Sequence, residues 1–415
     1  MAMPLSPHMD TTSLKNPNGP LRSTIGLEQA ADPLWDLLVI GAGPAGAMVA
    51  REVAQRSHRV LLVDRAEFPR HKVCGCCLNA AAQQLLSDVG LGALPERLGA
   101  RPFRILRLIA GKQTASVPLP SGLVLSREVL DAALVERAID RGATWLSQTT
   151  AILGDVDSSA RSVVLSQHGR RVVAQAKVVI VASGLGGCRA AQSGQETVCV
   201  EPGSRVGLGT VIESSTDLCP ADGVVMVCGV GGYVGMVRLP DGRLNVAAAL
   251  DPALIQRLHG PTAVVQEMFE EAWDEHIKEL QTCAWRGTAT LSRRSVRMSA
   301  ERLLIVGDAA GYVEPFTGEG ITWALASGVA AASFVVAGAC RWTTALEARW
   351  TAVHRQLMRP RQRACRLIAH ALRRTTLTRA TVGLLSRVPC AALPMTRRIN
   401  APFRPSSLKP VAYLL

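Results

Sequence analysis

Asp36-Leu37-Leu38-Val39-Ile40-Gly41-Ala42-Gly43-Pro44-Ala45-Gly46 decides the fold. An apolar run ends in three glycines spaced G-x-G-x-x-G, and residues 44–57 read as a helix. In such a unit the first glycine permits the tight turn and the second lets the backbone approach a pyrophosphate. The third lets helix and strand pack closely. The phosphate sits on the helix N-terminus. Residues 58–63 form a second apolar strand, and Asp64 at its end can accept hydrogen bonds from ribose hydroxyls, with Arg65 beside it. Gly41, Gly43, Gly46 and Asp64 are thus candidate nucleotide ligands on a βαβ unit.

A second glycine segment lies far along the chain: Leu303-Leu304-Ile305-Val306-Gly307-Asp308-Ala309-Ala310-Gly311, followed by Pro315-Phe316-Thr317-Gly318-Glu319-Gly320. It too reads as a strand that ends in glycines and opens into a helix. An aspartate there is poorly placed for a phosphate and well placed for ribityl hydroxyls. Gly318 and Gly320 let a helix N-terminus approach a flat ring. A ligand held at both ends, with a pyrophosphate at one, is best matched by FAD.

The chain has 415 residues, with 48% apolar and 19% charged residues, a globular composition long enough for more than one core. Eleven cysteines, an odd and irregularly spaced set, together with an N-terminus that has no apolar signal core, predict a reduced, cytoplasmic protein. Residues 1–33, with five prolines, read as a flexible leader. The uncharged run 320–340 has the length of a membrane span, but it grows out of the second glycine segment and reads as a buried helix on the sheet.

Between the glycine segments, Ser126 opens an amphipathic helix, 162–183 gives a hairpin pattern, 205–250 is strand-rich with a turn at Asp241-Gly242, and 262–282 reads as a helix. The fold class is therefore α/β: a Rossmann-like FAD-binding domain from 34–73, 122–190 and 290–340, interleaved with antiparallel sheet from 74–121 and 191–289. A basic helical region, 341–415, completes the chain.

These motifs resemble the flavoprotein group of p-hydroxybenzoate hydroxylase-type monooxygenases, geranylgeranyl reductases and flavin-dependent halogenases, over roughly 35–340. Phe68-Pro69-Arg70-His71-Lys72-Val73-Cys74-Gly75 and the Gly307–Gly320 segment are most similar to the geranylgeranyl reductase branch. The resemblance implies a glutathione reductase-type FAD domain, an Arg127 that touches FAD at the helix start Ser126-Arg127…Asp131, and the antiparallel sheet of 74–121 and 191–289 as a substrate domain, with substrate between that sheet and the flavin. It also places Cys74 and Lys72 near the ring as the candidate catalytic residues. Cys74 can be a pocket-lining residue, a reactive thiol, or half of a disulfide relay with Cys77. Where the hydroxylases carry Asp-Gly, this chain reads Ser183-Gly184. That change argues against a standard NAD(P)H-driven hydroxylase, and leaves the donor open between NADPH or NADH and a ferredoxin or partner flavin reductase. The halogenase W-x-W-x-I-P pattern is absent; the nearest stretch is Tyr233-Val234-Gly235-Met236-Val237-Arg238-Leu239-Pro240.

Residues 341–400 hold thirteen arginines and one acid, Glu347, so almost all of the net +13 charge resides there. Leu367, Ile368, Leu372, Leu377, Val382, Leu384 and Leu385 interleave with them, a pattern for helices peripheral to an anionic membrane or for a solvated face capping the substrate domain. Aromatics are only 4% and no nucleic-acid motif occurs, so no nucleic acid is expected as a partner. The resulting expectation is an FAD-dependent oxidoreductase acting on an apolar small molecule, isoprenoid- or polyketide-like, by double-bond reduction or by flavin-peroxide oxygenation. An NAD(P)H-using hydroxylase and a flavin-binding membrane-surface protein stand as the alternatives.

Overall fold

The computed structural model describes residues 19–187, 198–213, 216–275, 277–314 and 316–404. Residues 1–18 of the expected leader, Pro315 of the second glycine segment and 405–415 of the basic end lie outside the described residues.

The apolar runs build a layer of parallel strands in the order Leu303–Ile305, Arg170–Val181, Leu34–Ile40, Val60–Val63, Thr144–Leu146, edged by the short antiparallel Ser299–Ala300. Its central strands are buried on both faces, which is why they read as continuous Val/Leu/Ile rather than alternating. The hairpin Thr150–Val156/Arg161–Gln167 extends from Arg170–Val181. From Leu34–Ile40 the chain runs first to one side and then returns to the other. The crevice at the carboxyl end of that strand is therefore the topological switch point, where such sheets take ligands.

The helix Pro44–Ala54 covers this layer and is wholly buried. Gly320–Cys340 lies across it: a Cβ at Gly328 would sit 2.5 Å from the Ala45 carbonyl oxygen, a separation that only glycine allows. This helix is long and apolar enough to span a membrane, but most of it is buried inside the fold, as its Ala/Gly/Ser content predicts.

The second sheet runs Arg286–Thr290, Val206–Ile212, Leu244–Leu250, Gly232–Arg238, Gly223–Gly229, Arg101–Ala110, Gln113–Val124, Cys77–Leu78. It corrects the expected antiparallel sheet, because Gly223–Gly229 pairs parallel with Arg101–Ala110 and the sheet is mixed. Those two strands are not joined by a hairpin; a long excursion through the first layer separates them and lets them run the same way.

Three other expectations change. Residues 19–33 are not a free leader: Leu27 and Ala30 are buried, and Leu21 and Thr24 donate backbone hydrogen bonds to Phe68 and Trp145. The helix expected over 262–282 ends at Trp273, where Asp274 turns left-handed (φ 60°). The second glycine segment does not pass straight into a helix: a 3-10 turn Gly307–Ala309 and a short strand Gly311–Tyr312 precede Gly320–Cys340. The basic end forms the helices Thr344–Ala371, Thr375–Arg387 and Leu393–Asn400.

Candidate functional site

A cavity of about 540 Å³ begins at the switch point and runs between the two sheets. At the switch-point end Gly41 adopts φ +102°, and a Cβ there would meet the Ala182 carbonyl oxygen at 2.5 Å. A Cβ at Gly46 would meet the Gly41 carbonyl oxygen at 1.8 Å, so this glycine serves helix–strand contact and does not line the cavity. Gly43 differs: its Cβ would enter open space, with Arg70 Nη2 and Arg127 Nη2 nearest at 3.7 and 3.8 Å. Backbone open to the cavity, a helix N-terminus and two guanidiniums together make a cradle that fits a pyrophosphate.

Asp131, fully buried, holds both guanidiniums. Arg127 donates to it through Nε and Nη2, both at 2.7 Å, and Arg70 Nη2 lies 3.3 Å from its Oδ2. Burial opposes the Arg127 charge, and Asp131 more than restores it. Asp64 Oδ2 accepts from the Ala42 amide at 2.8 Å and its Oδ1 from Ala66 at 2.9 Å, which fixes the carboxylate at the rim.

Farther in, Gly307 (φ +62°) and Asp308 face Lys72 and Arg127. Burial pushes the Asp308 carboxyl above its ordinary range while those two cations oppose the rise. Burial, then the neighbouring Arg127, push the Lys72 amine below its ordinary range. Ser183 lines the same space, its Oγ buried and with no hydrogen-bond partner among the described residues. Donors, acceptors and open backbone at both ends fit FAD.

Cys74 and Cys77 line the same cavity as Gly318 and Gly320, Cys77 beside Gly318, and both are free thiols. The Cys76 amide donates to Cys74 Sγ at 3.4 Å. Hydrogen bonding from Cys76 outweighs burial and, with Arg127 nearby, holds the Cys74 thiol below its usual range. The thiol of Cys76 is correspondingly raised by Cys74 and burial, and Cys77 by burial.

Between the mixed sheet and the C-terminal helices the lining is mostly apolar. Leu106, Leu108, Val117, Val224, Met226 and Val237 rise from the mixed sheet. The opposite wall comes from the basic helices, through Ile368, Leu372, Val382, Leu385, Met395 and Ile399. Polar side chains interrupt both walls, among them Thr288, Thr378, Thr381, Thr396 and Asn400. Tyr233 packs edge-on against Phe316 (5.1 Å between ring centroids), and its hydroxyl is buried with no hydrogen-bond partner among the described residues. Behind it Arg205 donates to Glu314 at 2.8 Å, and Glu314 Oε2 has no partner among the described residues. Burial, then Glu314, raise the Tyr233 phenol well above its ordinary value.

Of the residues singled out in the sequence, Gly41, Gly43, Asp64, Lys72, Cys74, Arg127, Gly307, Asp308, Gly318 and Gly320 meet in this one cavity. Gly46, Gly311 and Arg65 are outside its lining. Gly311 serves a strand crossing beside Arg293 and Arg294, and Arg65 is exposed. Sequence reasoning missed Tyr233, Glu314 and Arg205, which come from separate strands and loops, and assigned no site role to Asp131, whose i,i+4 spacing from Arg127 was the available signal.

Fold and site define a dinucleotide-binding α/β flavoprotein. The chain belongs to the FAD binding domain family, which matches residues 35–335, and it is an FAD-dependent oxidoreductase. It is 26% identical to conditioned medium factor receptor 1 of Dictyostelium discoideum over 71% of this chain and 62% of that protein, so it spans less than two thirds of that relative. It is 28% identical to digeranylgeranylglycerophospholipid reductase 2 of Methanosphaera stadtmanae, over 71% of this chain and 76% of that protein. Identity is also 28% to menaquinone reductase of Mycobacterium tuberculosis, over 74% of this chain and 78% of that protein. Among solved structures, the flavin-dependent brominase Bmp2 superposes with TM-score 0.73 at 16% identity, covering 89% of this chain and 94% of that one. P. aeruginosa PqsL in complex with 2-aminobenzoylacetate gives 0.68 at 18% identity, covering 84% and 99%. At such identities the structural likeness concerns the fold.

Proposed function

We propose that the chain reduces a double bond in an apolar, isoprenoid-like molecule that lies against the mixed sheet. The observation that carries this reading is the continuity of one cavity, from the glycine loops to a wall of aliphatic side chains. Two sequence relatives are named as reductases, of a digeranylgeranylglycerophospholipid and of a menaquinone.

Gly41, Gly43, Arg70 and Arg127 would hold the pyrophosphate of FAD, Asp64 the ribose, and Asp308 the ribityl chain. Gly318 and Gly320 would border the ring. Bound there, FAD supplies hydride chemistry. The parallel layer is then a glutathione reductase-type domain built from 34–73, 122–190 and 290–340, the mixed sheet is the substrate domain, and 341–400 covers the substrate. The aliphatic wall binds the chain of the substrate and excludes water. The Tyr233 hydroxyl, a buried donor with no partner among the described residues, hydrogen-bonds a polar group of the substrate and so fixes which bond lies over the ring. NADPH, NADH or a reduced protein partner such as a ferredoxin or flavin reductase provides the electrons.

The test is product mass. The FAD-loaded protein is reduced with dithionite without oxygen and mixed with a geranylgeranyl lipid; a second sample runs under ¹⁸O₂ with NADPH. The proposal predicts a product richer by two hydrogens in the anaerobic sample. Product only under oxygen, carrying the label, would replace reduction by oxygenation.

A further inference from the structure

We propose that the outer face of the three C-terminal helices docks on a bilayer of anionic lipid. Each of these helices is two-sided. Ile368 and Leu372 on the first, Val382 and Leu385 on the second, and Met395 and Ile399 on the third point into the cavity. Their other side faces solvent and also carries apolar residues. Leu367 is 70% exposed, Leu384 56% and Leu377 44%, and Val388 and Leu393 are exposed as well. Leu377 and Leu384 are seven residues apart, hence on one face of their helix, and Val388 follows at its C-cap. Single exposed leucines are ordinary, whereas five large exposed apolar residues between 367 and 393, four on the three helices and Val388 at a cap, need an explanation.

Charge identifies the occupant. Exposed Arg363, Arg374, Arg387, Arg397 and Arg398 alternate with these residues along the same stretch of chain, while the only acid between 341 and 400 is Glu347, near the start of the first helix. Guanidiniums bordering leucines match a surface with anionic headgroups above a hydrocarbon layer: arginines reach phosphates while leucines enter the acyl boundary. A nucleic acid would use the arginines and leave the leucines in water. A neutral protein partner would use the leucines and leave the arginines idle. This surface does not depend on which reaction the cavity performs, so the test reads binding alone.

The FAD-loaded full chain is sedimented with vesicles of phosphatidylcholine, or of phosphatidylcholine mixed with phosphatidylglycerol. Binding is expected to the mixed vesicles, weakened by salt because the arginine contribution is screened, and absent with phosphatidylcholine alone. In the double variant Leu367→Ser, Leu384→Ser, both exposed and outside the cavity, affinity should fall by about tenfold or more, on the scale of losing one buried leucine. The flavin absorbance of the variant reports that its fold is intact. Arg374→Gln with Arg387→Gln should likewise weaken binding. Equal binding to both vesicles, no binding to either, or leucine variants that bind as tightly as the parent would overturn the proposal. Tighter binding to duplex DNA than to the mixed vesicles would overturn it too, assigning the surface to polyanions in general.

Discussion

Gly43 and Gly46 stand three residues apart in one motif, and the structure gives them opposite work, so alanine at each should fail in a different way. Gly43 has φ −70° and ψ −177°, backbone that alanine adopts freely. Its added methyl would meet no protein atom closer than 3.7 Å. Gly43→Ala should therefore leave the apo fold as stable as the parent, or gain about 0.4–1 kcal/mol from a less flexible unfolded chain. The methyl instead occupies the space where the pyrophosphate would lie against the backbone between Arg70 and Arg127. A loss of at least about 1.4 kcal/mol in FAD binding, a tenfold rise in Kd, is expected. At Gly46 the methyl would sit 1.8 Å from the Gly41 carbonyl oxygen, within rigid backbone. Gly46→Ala should cost stability outright, on the order of 1–3 kcal/mol or more. Thermal melts of the flavin-free variants and fluorescence titration with FAD separate the two effects. A Gly43→Ala protein that binds FAD like the parent would refute the pyrophosphate cradle.

Further outcomes follow from the buried charges and thiols. Glu319, between Gly318 and Gly320, is almost fully buried and accepts from Arg361 Nη1 at 2.8 Å and from Cys365. Arg361→Met leaves that carboxylate unpaired and should cost about 3–5 kcal/mol by denaturant melt; adding Glu319→Gln should recover much of the loss, and additive losses would show that the two residues are not coupled. Cys74, the depressed thiol, should be alkylated by iodoacetamide near neutral pH well before Cys76 and Cys77, and FAD should protect it; peptide mapping showing Cys77 modified first would contradict this. His354 is buried beside Trp350, and burial lowers its pKa to about 4 from 6.5. The unfolded chain then binds a proton that the folded chain refuses, so the contribution of His354 is fully present above about pH 6.5 and is lost as pH falls through about 4, up to roughly 3 kcal/mol. The stability of His354→Leu should therefore depend less steeply on pH between those values than that of the parent, and identical slopes would remove His354 as the cause.

The parts of the molecule that sequence made legible are local. Gly41, Gly43, Gly46 and Asp64 form their unit within thirty residues, and the switch-point site follows from that unit and the second glycine segment. Ser126 was readable as a helix cap, and its hydroxyl accepts from the Val129 amide. What stayed hidden depends on distant pairing. Nothing local in 101–110 or 223–229 announces that they will run parallel, and Tyr233, Glu314 and Arg205 meet only through the tertiary fold. The basic helices show the same limit: Val382 and Leu384 look alike in sequence, yet one faces the cavity and the other solvent, so interleaved leucines and arginines suited both a membrane face and a cap. The helix over-extended to 282 because apolar periodicity continues past Trp273, while the stop comes from a left-handed Asp274, a conformation to which aspartate is only moderately prone.

One measurement reaches the central claim directly: flavin absorbance in the visible, followed under strict anaerobiosis while the reduced, FAD-loaded protein is mixed with an unsaturated isoprenoid. Return of the oxidised flavin band in step with substrate consumed is the predicted result, because the cavity would bring a substrate double bond to the ring without oxygen. A flavin that stays bleached until oxygen is admitted, whatever isoprenoid is present, would contradict the account.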